Sequence, residues 1–313
     1  MGKSNGNPVA THPSPLTVIL KGFCMGTADV VPGVSGGTIA LILNIYPRLI
    51  NAIKSFDLIW LLGLFRLKRE VILGRPHWRF VIPLGIGIVC ALFFFTRVIQ
   101  LPVLIETKPE IVYGLFFGLI AGSILVLVMQ TTPYTMKGIL FLFAGTCAGL
   151  VIFNLVPAET PDTGWFVFIA GALAISAMLL PGISGSFILL ILKKYSTVFN
   201  AIGYLDFSIL VPFVLGVLTG LVVFSRLLSC LLDRFYQATL LVITGLLVAS
   251  LWVIWPFQDR VYETFGNKQH LVHSSPVLPA PDAENTVLAF LLMFAGLIFV
   301  VFIDLHARKR DAV

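Results

Sequence analysis

Two short runs in this sequence have the residue types and spacing to hold an anion: Pro32-Gly-Val-Ser-Gly-Gly-Thr38 and Pro181-Gly-Ile-Ser-Gly-Ser186. Proline removes a backbone donor and opens a helix, and glycine lets the chain turn. The small residues Gly33, Ser35, Gly36 and Gly37, and Gly182, Ser184 and Gly185 in the second run, therefore leave N–H groups free to face a ligand. The hydroxyls of Ser35, Thr38, Ser184 and Ser186 are further donors, and each run opens a fresh apolar helix whose first turn carries positive partial charge. Phosphate or carboxylate is the natural guest, and a tight helix-packing turn built from small residues is the alternative.

Three charged residues stand out beside these runs. Arg97 and Arg226 lie at matching places, three-quarters along two apolar segments. An arginine inside a bilayer is costly unless paired, and its planar fork suits bidentate phosphate recognition. Snorkelling to the interface is the competing account, because each lies near the end of its segment. Asp29 precedes the first run in apolar surroundings and has no counterpart in the second, where Met178 stands. It can pair with an arginine, carry a proton or cap the backbone of the turn; a bare carboxylate would repel a bound phosphate.

The two runs belong to a duplication. Residues 22–53 and 171–202 match at 14 of 32 positions at a constant offset of 149, without a gap. The matches include Pro32/Pro181, Gly33/Gly182, Ser35/Ser184, Gly36/Gly185, Tyr46/Tyr195 and Asn-Ala-Ile at 51–53 and 200–202. Downstream, Pro83, Gly87, Phe95 and Arg97 match Pro212, Gly216, Phe224 and Arg226; Gly118-Leu119 matches Gly245-Leu246, and Ala148-Gly149-Leu150 matches Ala295-Gly296-Leu297. Each half is thus one repeated stretch followed by three apolar spans.

The elements that must position these residues lie in a membrane. The composition is 58% hydrophobic and 12% charged, with mean hydropathy +0.99. No signal sequence with a small-residue cleavage site precedes the first apolar stretch, so the start is expected to be retained. The four cysteines (Cys24, Cys90, Cys147, Cys230) sit singly in apolar segments, without metal-ligand spacing, and no metal or cofactor is expected. The net charge of +6 resides in short loops, which points to orientation in a bilayer and away from nucleic acid.

Spans are expected at about 80–99, 111–130, 138–156, 209–231, 238–257 and 287–305. Residues 1–15 read as a disordered cytoplasmic tail, and 308–313 as a cytoplasmic tail at the other end. The run 58–67, followed by Lys68, Arg69, Arg75 and Arg79, is too short to span and reads as interfacial, within a segment 57–79. Repeat one is then 16–157, with its hairpin at 16–53; repeat two is 158–307, with its hairpin at 165–202 and an outer loop at 258–285.

Open backbone at membrane depth must be buried in protein or line a wet cavity. Each repeated stretch therefore reads as a re-entrant helical hairpin. A hairpin adds an even number of crossings and three spans an odd one, so the halves are inverted. The bases of 54–79, Lys137, Arg234 and Arg308 to Arg310 then fall inside with both termini, and Glu106, Glu110, Glu159 and Asp162 fall outside. Lys193 and Lys194 break this pattern. The predicted fold is an all-α integral membrane protein of two inverted repeats, each a re-entrant hairpin plus three transmembrane helices. Tyr46 and Tyr195 read as interfacial aromatics, Arg48, Lys193 and Lys194 as headgroup or interface anchors, and Asn51 and Asn200 as groups satisfying helix ends.

Gly33-Val-Ser-Gly36 has the Gly-x-Ser-Gly form of intramembrane serine proteases, which need a histidine base on another span. His12, His77, His270, His273 and His306 all fall in tails, loops or at a span end, so an enzyme is not expected. Inverted-repeat transporters bind at broken helices near the midplane, which favours a ligand site at the two runs over a packing turn. A secondary transporter or channel for a small anion or ion is one reading of these residues, and a non-transporting membrane scaffold is another.

Gly26-x-Ala-Asp29-Val-Val-Pro-Gly-Val-Ser-Gly-Gly-Thr38 with Tyr46, and Leu180-Pro-Gly-Ile-Ser-Gly-Ser186 with Tyr195, resemble the signature of the bacterial polyprenyl-phosphate transporter family. The resemblance runs from about residue 16 to 307. It implies a flippase in the bacterial inner (plasma) membrane that returns undecaprenyl phosphate from the outer to the inner leaflet for reuse in envelope synthesis. The chain departs from the family pattern at Lys193-Lys194, where a glycine commonly precedes the tyrosine. There is no Gly-x4-Gly-Lys-Ser/Thr nucleotide motif, so movement is expected to follow the lipid gradient or a coupling ion, proton or sodium. Membrane lipids and further copies of the chain complete the partners this reading admits.

Overall fold

The computed structural model describes residues 14–311 apart from 32, 132–134, 156–159, 162, 266–267 and 280–284. In the first half the helices are α1 (Pro15–Asp29), α2 (Gly36–Ile42), α3 (Tyr46–Lys54), α4 (Leu58–Phe65), α5 (Arg69–Gly74), α6 (Trp78–Phe93, continued by a π-turn over Phe94–Val98), α7 (Leu101–Thr107), α8 (Pro109–Gln130) and α9 (Met136–Phe153). The second half holds α10 (Gly164–Leu179), α11 (Gly185–Ile191), α12 (Tyr195–Tyr204), α13 (Phe207–Arg234), α14 (Tyr236–Val253), strands β1 (Gln258–Phe265) and β2 (Lys268–Pro276), and α15 (Thr286–Asp311).

Six of these are long and apolar enough to cross a membrane: Trp78–Val98, Pro109–Gln130, Met136–Phe153, Phe207–Arg234, Tyr236–Val253 and Thr286–His306. Their bounds fall within a few residues of the expected spans, because a run of about 20 apolar residues admits few other structures. Helix α1 has 15 residues and is only about 22 Å long at 1.5 Å per residue, shorter than a bilayer core of about 30 Å. Two helices form the centre: half of α8 and 56% of α14 is buried, against 11–22% in the other four spans. The outer helices turn Ile82, Ile86, Val89 and Phe93 (α6), Val211, Leu215 and Leu218 (α13), and Leu291, Phe294 and Ile298 (α15) outward, as lipid-facing helices do.

The packing pairs are parallel. Along α1 and α6, Gly22 meets Leu84 and Gly26 meets Ile88 and Ala91, so the contacts advance together. Along α10 and α13, Gly171 meets Phe213 and Val217, and Gly220 meets Ala172 and Ile175. The same holds for α8 with α15 (Gly114–Ala289, Gly118–Met293, Gly122–Leu297) and for α9 with α14 (Gly145–Val242, Gly149–Leu246). Gly87 and Gly216 permit equivalent close approaches: a Cβ on Gly87 would run into Ile19 O, and one on Gly216 into Phe168 O. Gly87 and Gly216 are a matched pair of the repeat and Ile19 and Phe168 keep its offset of 149, so the halves repeat both sequence and packing.

Because α1 and α6 run parallel, residues 30–77 must bring the chain back to the end from which α1 began, and residues 180–206 do the same between α10 and α13. Polar groups hold the bend after each short helix. Lys21 Nζ donates to Leu43 O at the end of α2, at 2.8 Å. At the equivalent bend, the Thr160 hydroxyl donates to Leu192 O and Lys194 Nζ donates to Thr160 O.

Three expectations need correction. Tyr46 is not an interfacial aromatic: it is 1% exposed, and its hydroxyl donates to Leu179 O at 2.8 Å. Lys194 is not a headgroup anchor or an exception in loop charge, because it is 2% exposed and lies over the Phe166 ring. An ammonium buried in this way serves the bend and does not report which side of a membrane it faces. The segment 258–276, expected to be loop in an all-α protein, forms an antiparallel β-hairpin paired from Gln258↔Pro276 to Phe265↔Lys268. Its sequence signal is a Gly-Asn pair between a run with Val, Tyr, Thr and Phe and a second run with Leu and Val.

Candidate functional site

Both runs form turns, and the two turns meet. Gly33 has φ +82° and Gly182 φ +90°, a left-handed conformation that an L side chain rarely adopts, so glycine is required at both places. Val34 N–H then bonds Val31 O, and Ile183 N–H bonds Leu180 O, giving equivalent turns. Ser35 and Ser184 take the N-cap positions of α2 and α11 in extended backbone. Across the join, Thr38 Oγ1 accepts Gly182 N–H at 2.9 Å, and Thr38 is fully buried. With the Tyr46–Leu179 bond, this ties the first short helix to the second turn. Helix α14 backs both turns: Gly33 faces Val253 and Ile254, and Gly182 faces Leu246 and Leu247.

The donors at the two turns are in different states. In the first, Asp29 Oδ1 accepts Gly36 N–H at 2.8 Å, Ser35 Oγ accepts Gly37 N–H at 3.2 Å and Ser35 O accepts Thr38 N–H at 2.9 Å. Both Asp29 oxygens lie where a Cβ on Gly36 would stand. A carboxylate thus occupies the place that a ligand anion would take, and Ser35 is 3% exposed. In the second turn Met178 replaces the aspartate, and Ser184 Oγ and Ser186 Oγ bond each other at 2.8 Å on an exposed face. Among the described residues, the N–H groups of Gly185 and Ser186 meet no acceptor.

The arginines come to the right height without joining the turns. Extending the register of each helix pair puts Arg97 level with the turn after α1 and Arg226 level with the turn after α10. Both are exposed, and among the described residues neither makes a hydrogen bond or ion pair. Arg97 lies in the π-turn Phe94–Val98, whereas α13 is regular around Arg226. Irregularities of this kind recur at functional sites.

Of the predicted site residues, Asp29, Gly33, Ser35, Gly36, Gly37, Thr38, Gly182, Ser184, Gly185 and Ser186 form the two turns. Pro181 is buried at the second, and Pro32 lies outside the described residues. Sequence reasoning missed Tyr46 and Lys194 as parts of this assembly. The recurrence of Tyr46 as Tyr195 and the placement of Lys194 beside the second bend were visible, but the distant acceptors Leu179 O and Thr160 O were not.

A helical bundle with six membrane-length apolar segments, built around two broken helices whose turns meet at its centre, defines a multi-pass membrane protein with a buried polar junction. The chain belongs to the undecaprenyl phosphate translocase-like family, whose sequence profile matches residues 25–272. It is 35% identical over 310 residues to a polyprenyl-phosphate transporter of Vibrio cholerae serotype O1, covering 94% of this chain and 97% of that one. It is 35% identical over 256 residues to a polyprenyl-phosphate transporter of Staphylococcus aureus, covering 76% of this chain and 85% of that one. No solved structure matches.

Proposed function

We propose that the chain carries polyprenyl phosphate across the bacterial plasma membrane, from the outer to the inner leaflet, through the junction of its two turns. The observation that carries the reading is the inequality of the turns: one already holds an internal carboxylate, and the other presents unpaired donors. We read α1–α3 and α10–α12 as re-entrant hairpins in inverted repeats. The parallel pairing of α1 with α6 and of α10 with α13 supports this, because it requires each hairpin to return to its starting side. Inverted repeats with discontinuous helices near the midplane are a known transporter architecture. The boundaries 16–157 and 158–307 then mark the repeats, and both termini lie in the cytoplasm.

The second turn receives the phosphate, using Gly185 and Ser186 N–H and the hydroxyls of Ser184 and Ser186. Arg226 stands level with that turn to approach the phosphate, and Arg97 does the same at the first. To pass to the first turn, the phosphate must displace Asp29 from Gly36, since two anions cannot share one set of donors. Asp29 is thereby the step at which a proton, or sodium in its place, couples to lipid movement.

The test is binding of a prenyl phosphate to purified protein by native mass spectrometry, comparing wild type with Ser184→Ala, Ser186→Ala and Arg226→Ala. Removing a hydrogen bond to a charged group should weaken binding by about tenfold or more. Wild-type affinity in all three variants would remove the second turn from the mechanism. Uptake of a small soluble anion without lipid binding would favour the alternative of an ion transporter using the same turns.

A further inference from the structure

A second polar site lies apart from the turns. A shallow surface cavity of about 540 Å³, largely open to its surroundings, lies between the end of α3, the α5–α6 link and the start of α4, lined by Asn51, Lys54, Asp57, Arg75 and His77 among others. Asp57 organises it: Oδ1 caps α4 by accepting Trp60 N–H at 2.9 Å, and Oδ2 holds Arg75 Nη2 at 2.7 Å. Lys54 Nζ is held by Ser229 Oγ of α13 at 2.9 Å. The same hydroxyl donates to Asp233 Oδ2 at 3.2 Å, outside the lining; within the lining Lys54 and Arg75 face the single carboxylate of Asp57, and His77, whose side chain does not cap α6, adds a further donor.

The surroundings mark a membrane interface. Trp60 and Trp78 both donate their indole N–H to Ile72 O, and the Phe56 ring stands edge-on to both at 5.0 and 5.5 Å. Tryptophans with a wet edge and a dry face collect at headgroup depth. Beside them α4 and its flank leave Ile59, Leu62, Phe65 and Leu67 uncovered, with Phe65 and Leu67 at 78% and 80% exposure. Apolar side chains so exposed next to a cationic cavity suit acyl or prenyl chain on one side and an anionic headgroup on the other.

We propose that this cavity, where Lys54, Arg75 and His77 converge beside the uncovered face of α4, docks the phosphomonoester headgroup of a membrane lipid whose chain lies along α4. A monoester carries more charge than the diester of ordinary phospholipids and offers three oxygens to the arginine fork and the ammonium. The site is distinct from the turns and goes beyond the transport reading. It requires only that the chain sit in a bilayer, with the cavity at its surface.

Lys54 is exposed and reports occupancy by its rate of acylation with an amine-reactive ester, in full-length protein in phosphatidylcholine nanodiscs. Farnesyl phosphate should slow Lys54 acylation by about fivefold, the effect of one basic contact at a membrane surface. Farnesol and inorganic phosphate at equal concentration should leave the rate unchanged. In His77→Gln the unliganded rate should match wild type while protection by farnesyl phosphate falls. Ser184→Ala, in the second turn, should retain full protection even where lipid movement is lost. No protection by farnesyl phosphate would overturn the proposal. So would equal protection by farnesol (simple apolar cover), equal protection by inorganic phosphate (a soluble-anion site), unchanged protection in His77→Gln, or loss of protection in Ser184→Ala.

Discussion

Asp29 and Met178 occupy the same place in two copies of one motif, and the difference decides how the donors beyond them are used. Asp29 saturates Gly36 N–H; Met178 leaves the equivalent donor open. Asp29→Ala should therefore make the first turn resemble the second, tightening prenyl phosphate binding by about fivefold while slowing turnover, because release loses its competing anion. Weaker binding in a folded Asp29→Ala protein would contradict this role. Thr38 acts on stability. Thr38→Val strips the acceptor from a buried Gly182 N–H and should cost about 1–3 kcal/mol in thermal unfolding in detergent, whereas Thr38→Ser should be close to neutral. The motif residues were legible because proline and glycine inside an apolar run are local signals. The Thr38–Gly182 and Tyr46–Leu179 bonds were not, since they join residues 144 and 133 positions apart.

Among the elements, the helix pairs depend on close backbone contact. Gly87 and Gly216 sit where the partner helix leaves no room for a side chain, so Gly216→Leu should separate α13 from α10. It is expected to lower the unfolding midpoint sharply, beyond the usual overpacking cost of about 1–3 kcal/mol, whereas Gly85→Leu, in open space on α6, should be tolerated. Equal effects of the two substitutions would refute the close-packing account. The spans were readable from length and hydropathy alone. The β-hairpin was not, because eight- and nine-residue strands interleave charged and apolar residues and lack the signal of a membrane segment. Nor was the role of Lys194: a lysine in a short bend reads as a surface charge until its burial against Phe166 and Thr160 is known.

For the whole molecule, crossing parity, loop charge and parallel pairing lead to the same proposed topology, with α1 and α6 pointing one way and α10 and α13 the other. Single cysteines placed at Ser14 and His306 of a cysteine-free chain should label from one face, and those at Lys108 and Val277 from the other. Labelling of all four from one face would break the inverted arrangement. The repeat was plain in the sequence because the identities are ungapped; its asymmetry of use was only half visible, in the single unmatched aspartate.

The central claim is that the chain moves a phosphorylated prenyl lipid between leaflets through the two turns. Purified protein in sealed liposomes with a labelled polyprenyl phosphate in the outer leaflet tests it most directly. The label should reach the inner leaflet far faster than in empty vesicles, and Arg97→Ala and Arg226→Ala should each cut that rate by about tenfold or more while leaving the protein folded. Movement no faster than in empty vesicles would contradict the account.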